Sequence, residues 1–219
     1  QKGERDMNKT LNAGAMMALL PSLAIVSLTG CVSAPKMGYS PPSPAQHSNS
    51  IVMPYGYDDA WKKLVAAASQ TFYSIDNYEK DSGLMTLSFG STDINGLVDC
   101  GVMSTNGKAD SYISRAQNSG DSTLKLSGKM NLLVQPVDER QTRVTVNARY
   151  VLNIHSAGQV YNAWTGQTQF VSSNNTWSFD SNSPGTITVQ NPAQGISPQR
   201  TCQATGKAEN DVINAIMDI

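Results

Sequence analysis

Charge, histidine and cysteine are all scarce in this chain. Only 15% of its 219 residues are Asp, Glu, Lys or Arg, and 16 basic residues stand against 17 acidic ones. Domains that bind nucleic acid usually carry a concentrated basic face, so this balance excludes that class. The net balance likewise does not support attachment to anionic lipid by charge alone. The two histidines, His47 and His155, fall in a linker and at a predicted strand end, without metal-ligand spacing. A serine triad needs a histidine base, and no Gly-x-Ser-x-Gly nucleophile elbow accompanies His155. No apolar run reaches the length of a spanning helix, about 20 residues: Ala13–Leu28 is shorter and is interrupted by Gly14, Pro21 and Ser22.

The near misses to catalytic motifs have plainer explanations. Gly101 to Lys108 is one residue too long for a phosphate loop, and Ala109 stands where that loop needs a hydroxyl. Asp58-Asp59 reads as helix capping rather than as a carboxylate pair. Asp76, Glu79 and Asp81 match no calcium-loop spacing. The expectation is therefore a non-enzymatic protein with no catalytic residue, cofactor or metal.

What is present begins at the N-terminus. Gln1 to Asp6 are charged and polar and precede Met7, the more natural start. Lys9 gives a positively charged region, Ala13–Leu28 an apolar one, and Leu28-Thr29-Gly30-Cys31 closes it with small residues. This is the layout of a secretory signal peptide. The Pro/Ser-rich chain that follows has only Lys36 nearby, so a stop-transfer pattern is missing. Leu28-Thr29-Gly30-Cys31 resembles the lipobox of bacterial lipoproteins residue by residue. The resemblance implies cleavage between Gly30 and Cys31, diacylglycerol on the Cys31 thiol and acylation of the new N-terminus. Val32 is not Asp, which by the same resemblance favours the outer membrane, facing the periplasm, over retention in the inner membrane.

Lipidation of Cys31 leaves Cys100 and Cys202, an even count in an oxidising compartment. A Cys100–Cys202 disulfide is expected. The competing readings are a metal pair, which wants more ligands, and a redox pair, which usually has two-residue spacing. The segment removed with the signal peptide holds Lys2, Arg5 and Lys9 against Glu4 and Asp6, so the remainder is slightly acidic.

Three regions follow: leader and signal peptide over 1–30, a lipidated Pro/Ser-rich tether over 31–50, and a periplasmic domain over 51–219. In extended form the tether reaches some 50 Å. The domain opens on a helix capped by Asp58, with Trp61, Leu64, Val65, Ala68 and Phe72 at helical spacing. A hairpin turning at 80–83 follows, then Leu97–Cys100 after an Asn95-Gly96 turn, and an ambiguous polar stretch over Ser111–Gly120. Ser122–Val134 and Thr142–Ile154 alternate as a long hairpin; Gly166–Phe179, Thr186–Val189 and Thr201–Ala204 supply further strands. Lys207–Met217 closes the chain as a helix with Ala208, Val212, Ile213, Ile216 and Met217 on one face. The pattern predicts an α+β fold: an antiparallel sheet of about six strands with an N-terminal and a C-terminal helix packed on one face.

A second resemblance rests on YDDAWKKLVAAASQTFYSIDNYEKDSGLMTLSFG, residues 57–90. An aromatic, an acidic cap, a helix with Trp and two strands about a Ser-Gly turn are similar to small proteobacterial envelope lipoproteins and to the helix-grip domains of BamC-type assembly lipoproteins. Asp99-Cys100-Gly101 and Thr201-Cys202 also look like those small lipoproteins, whose paired cysteines precede a final helix. The resemblance implies a fold more than a function. The expected role is a tethered binding or scaffold component of the cell envelope, accessory to an outer-membrane or secretion assembly, with an envelope protein as partner. Tyr161, Trp164 and Phe170 are the candidate partner patch, with Trp61 in the core and Trp177 partly exposed. The alternative is a carrier, with a small apolar ligand or lipid in a helix-grip cavity lined by Trp61, Phe72 and Leu126.

Overall fold

Two-residue alternation builds the central hairpin. In β8 (Ser122–Pro136) Leu124, Leu126, Met130, Leu132 and Val134 are buried; in β9 (Thr142–Asn162) the buried positions are Val144, Val146, Ala148, Tyr150, Leu152 and Ile154. Their pairing runs without a slip from Pro136 opposite Thr142 to Ser122 opposite Ser156. A shift of one residue would turn every one of these apolar side chains to water, which is what fixes the register. The computed structural model describes residues 36–44, 48–71, 73–92, 94, 96–162, 165–189 and 198–218. The expected lipobox with Gly30 and Cys31, as well as His47, Phe72 and Trp164, lies outside the described residues.

The hairpin grows into a six-stranded antiparallel sheet ordered β10-β9-β8-β4-β3, with β10 at Gln167–Asp180, β4 at Leu84–Ser91 and β3 at Ser74–Glu79. The sixth strand, β2 (Ser50–Met53), pairs with β9 at Thr142–Thr145, on the length of β9 that β10 leaves free. A register shift between Ile75 and Asn77 breaks the outermost pair. Asp76, at that break, reaches Lys129 at 3.0 Å and accepts from the Ser88 hydroxyl at 2.7 Å. A bulge and a charge together blunt an edge strand against further pairing.

Two small sheets complete the strands. One runs β1-β6-β7 (Met37–Ser40, Val102–Thr105, Lys108–Ser111); the other runs β11-β12-β5 (Gly185–Thr188, Gln199–Ala204, Val98–Asp99). The described residues fall in one compact unit, Pro35–Ile219. The stretch expected as a bare tether thus contains a strand, β1, held by partners remote in sequence.

Three helices join the strands. α1 (Tyr57–Gln70) buries Ala60, Trp61, Leu64, Ala67 and Ala68. Its N-cap is Gly56, without a side-chain cap, so the expected cap Asp58 is corrected. Asp58 lies in the first turn and pairs with Lys80 at 2.6 Å, an alternative use of the same charge. α2 (Tyr112–Asn118) forms where the sequence was ambiguous: Ser111 accepts the Ser114 N–H at 3.4 Å and Ile113 is buried. A two-turn helix shows too few apolar residues to reveal its period. α3 (Lys207–Met217) has the expected bounds, but Met217 is 60% exposed and Glu209 is fully buried in its place. The apolar faces of the sheet and helices merge into one core, where Tyr73, Phe89, Tyr150 and Phe179 form a chain of ring contacts at 5.3–5.7 Å between centroids. Trp177, expected to be partly exposed, is fully buried, and its indole N–H donates to the Arg200 carbonyl at 3.1 Å. Its odd position in β10 puts it on the core face beside Asn175 and Phe179.

Candidate functional site

The disulfide is the first feature the sequence pointed to. Cys100, just after β5, and Cys202, in β12, are bonded, with sulfurs 2.00 Å apart, and both are buried. The β5–β12 pairing of Gln203 with Asp99 brings the two segments together. Around this bond the N-terminal strand is clasped. The Tyr39 hydroxyl lies 2.9 Å from the Thr201 N–H, which donates to it, and within 3.2 Å of the carbonyls of Cys100 and Thr201. The Arg200 guanidinium sits 4.2 Å over the Tyr39 ring. Lys36 and Asn106 exchange two hydrogen bonds at the start of the strand, and the Gln203 side chain donates to the Ser43 carbonyl beyond its end. Gly101, at φ +77°, allows the approach: a Cβ there would overlap the Ser40 carbonyl oxygen and touch Pro41. Sequence reasoning missed Tyr39 because an aromatic in a Pro/Ser-rich stretch shows no periodicity.

A second feature lies where β10 gives way to β2 along β9. Ala148 sits at the junction, and Ser181 serves it: the Ala148 N–H donates to Ser181 Oγ at 2.6 Å, while the Ser181 N–H donates to the Ala148 carbonyl at 2.9 Å. Backbone groups at such a gap would otherwise be orphaned. The Ser181 hydroxyl donates onward to Glu209 Oε1 at 2.6 Å, and the Tyr150 hydroxyl donates to Glu209 Oε2 at 2.7 Å. Burial pushes the Tyr150 phenol well above its ordinary value, with the Glu209 carboxylate adding to the rise. Tyr73 is raised for the same first cause, and its hydroxyl donates to the Ala208 carbonyl at 3.3 Å. Ser181 and Glu209 are both buried, and their hydrogen bonds are all made within the core. The hydroxyl oxygen already accepts an N–H, and the carboxylate already accepts a phenol. On the water side of this junction lies an open cleft of about 450 Å³ lined by Lys129, Asn131, Asn147, Arg149, Asp180 and Asn182.

The third feature is the partner patch. β9 and β10 run beyond β8, whose first residue, Ser122, faces Ser156. Past that point they form a two-stranded arm, paired from Ala157 with Ser172 out to Asn162 with Gln167. Tyr161 faces Thr168 and Phe170 faces Gln159, so both aromatics project from the same side of the arm. They are 64% and 68% exposed. Trp164 lies outside the described residues. His155, beside the root of the arm, is exposed, and its Nδ1 lies 2.7 Å from Asn174 Oδ1. Among the described residues no three His, Cys, Asp or Glu side chains cluster as a metal site. No helix among them is long and apolar enough to cross a membrane.

No family model, curated protein or solved structure matches this chain.

Proposed function

We propose that this chain is a lipid-anchored envelope protein of the bacterial outer membrane, facing the periplasm and working as a non-enzymatic binding or scaffold component. The observation that carries the reading is the cysteine arrangement. Cys100 and Cys202 form a buried disulfide inside the fold, which accounts for two of three cysteines. The third stands at the end of Leu28-Thr29-Gly30-Cys31, behind a basic and an apolar segment. A thiol in that place is the acceptor that lipoprotein maturation requires.

The binding role rests on the arm. A projecting ribbon with Tyr161 and Phe170 on one side has the aromatic composition of interface cores. A two-stranded hairpin is marginal alone in water, so a partner surface against it would stabilise both. In the helix-grip reading, α1 and α3 lie together over the apolar face of the large sheet, which the Tyr150–Glu209 and Tyr73–Ala208 bonds support. The carrier alternative has less in its favour, because the aromatic chain from Tyr73 to Phe179 occupies the space a ligand would need.

Intact mass spectrometry of the membrane fraction, with and without reductant and beside a Cys31→Ala variant, tests the reading. The expected species begins at Cys31, carries about three acyl chains and gains two hydrogens on reduction. An unmodified chain in the soluble fraction would remove the lipoprotein reading.

A further inference from the structure

The clasped strand decides how far from the bilayer the domain stands. This inference rests on the lipoprotein reading of Cys31. A free segment reaching to Ser50 would let the domain range over some 50 Å. The fold begins much earlier than that. Lys36 is bonded to Asn106 in both directions, and β1 pairs with β6 from Met37 to Ser40. Tyr39 is held by Cys100 and Thr201, on either side of the disulfide, and Ser43 by Gln203. Five residue steps separate Cys31 from Lys36, and covalent geometry limits them to about 18 Å.

We infer that β1 works as a strap that holds one edge of the domain, the turn Thr105–Lys108 beside Lys36 and Met37, against the lipid headgroups. The occupant of this edge is the bilayer surface, because the short connection to an acylated Cys31 leaves little else within reach. The side chains suit that place. Met37 is 48% exposed, while Lys36 and Lys108 bring two cations to the same end of the small sheet. A lipid-held N-terminus that merely trailed from the domain would need no such fastening. The fastening includes a glycine, Gly101, whose missing Cβ is what admits Ser40 and Pro41.

The arrangement also fixes which end of the molecule points away. Tyr39 stacks with Arg200, whose carbonyl receives the Trp177 indole, and Trp177 faces Leu152 on β9. Thr142, where the β8–β9 turn ends, is ten residues along the same strand, or about 33 Å away. Asp138, in that turn, therefore lies far along β9 from the Trp177, Arg200 and Tyr39 contacts that hold the strap.

The test uses the full acylated chain in vesicles that contain a headgroup nitroxide lipid. A fluorophore is placed on a new cysteine made by Lys108→Cys or by Asp138→Cys; Cys100 and Cys202 are buried in their disulfide, and intact mass first establishes acylation of Cys31. Quenching should be severalfold stronger at position 108 than at position 138. A Gly/Ser spacer of about ten residues inserted between Ala34 and Pro35, outside every contact described, should bring the two positions close to equality. Gly101→Ala, which pushes Ser40 away, should do the same. Equal quenching at both positions in an acylated chain would overturn the strap and leave the lipoprotein reading intact. So would a spacer that changes nothing at position 108. An unacylated Cys31 would overturn both.

Discussion

Glu209 and Tyr150 are joined in the core by a 2.7 Å hydrogen bond, although they lie on α3 and β9 and 59 residues apart. Glu209 is fully buried, and no cation pairs with it among the described residues. Its two side-chain oxygens accept from two hydroxyl donors, Tyr150 and Ser181, and it lies in the first turn of α3. Glu209→Ala would orphan both donors and should cost about 3 kcal/mol. Glu209→Gln keeps an acceptor and should cost about 1 kcal/mol. Urea unfolding of the two variants checks the order; an Ala variant within about 0.5 kcal/mol of the parent would refute the network.

The disulfide closes a loop of 102 residues. The chain-entropy relation gives about 4.7 kcal/mol for such a loop. Thermal unfolding with and without reductant, and of a Cys100→Ala, Cys202→Ala chain, should show a loss of that order. Because Tyr39 bonds to the Cys100 carbonyl, the same loss should free the N-terminal strand to proteolysis near Ser40.

Gly128 in β8 lies beneath an aromatic ring. A Cβ there would overlap Phe89, which in turn meets Tyr150 edge-on at 5.5 Å. Gly128→Ala should therefore destabilise by about 1–3 kcal/mol despite better strand propensity. Denaturant midpoints decide this, and a neutral or stabilising result would show that the ring moves aside without cost.

Stability should fall at both pH extremes, for different residues. The Ser88 hydroxyl and the Lys129 ammonium hold the Asp76 carboxyl below its ordinary value of 3.8. A depressed carboxyl contributes fully above that value, and its contribution disappears as pH falls through the folded value. Burial raises the Tyr150 phenol above its ordinary 10.0. That contribution is complete below pH 10 and declines above it, because the unfolded phenol ionises first. Urea midpoints across pH should show both limbs; Asp76→Asn should flatten the acid one and Tyr150→Phe the alkaline one. An unchanged acid limb in Asp76→Asn would remove Asp76 from the account.

Tyr161 and Phe170 stand outside the core, so their joint replacement by Ser should leave stability within about 0.5 kcal/mol. If the arm is a partner surface, the same variant should lose the chemical cross-links that the parent forms through position 159 after Gln159→Cys. Retained cross-links would sink the arm as an interface.

Much of the fold was legible locally. The alternation of Leu124 to Val134 and of Val144 to Ile154 gave the central hairpin, because period two decides which face is apolar. The bounds of α3 followed from its apolar spacing for the same kind of reason. Legibility failed where a residue's role depends on a distant partner. Asp58 looked like a cap until Lys80, in the turn of the first hairpin, gave it another use. Trp177 sits on the core face by parity, yet its depth depends on Arg200 and the segment about it. Tyr39 had no periodic company at all.

The sequence by itself determined the strand and helix periods, the cysteine count and the run Leu28-Thr29-Gly30-Cys31 on which the proposed anchor rests, since each is carried by residues close together in the chain. The tertiary structure alone decided that Glu209 is buried under Tyr150 and Ser181, that β2 continues where β10 stops, and that Tyr39 is fastened beside the Cys100–Cys202 bond. Each of those depends on hydrogen bonds between segments tens of residues apart or more. Local periodicity states which side of an element avoids water, and it leaves open which remote group will meet it there.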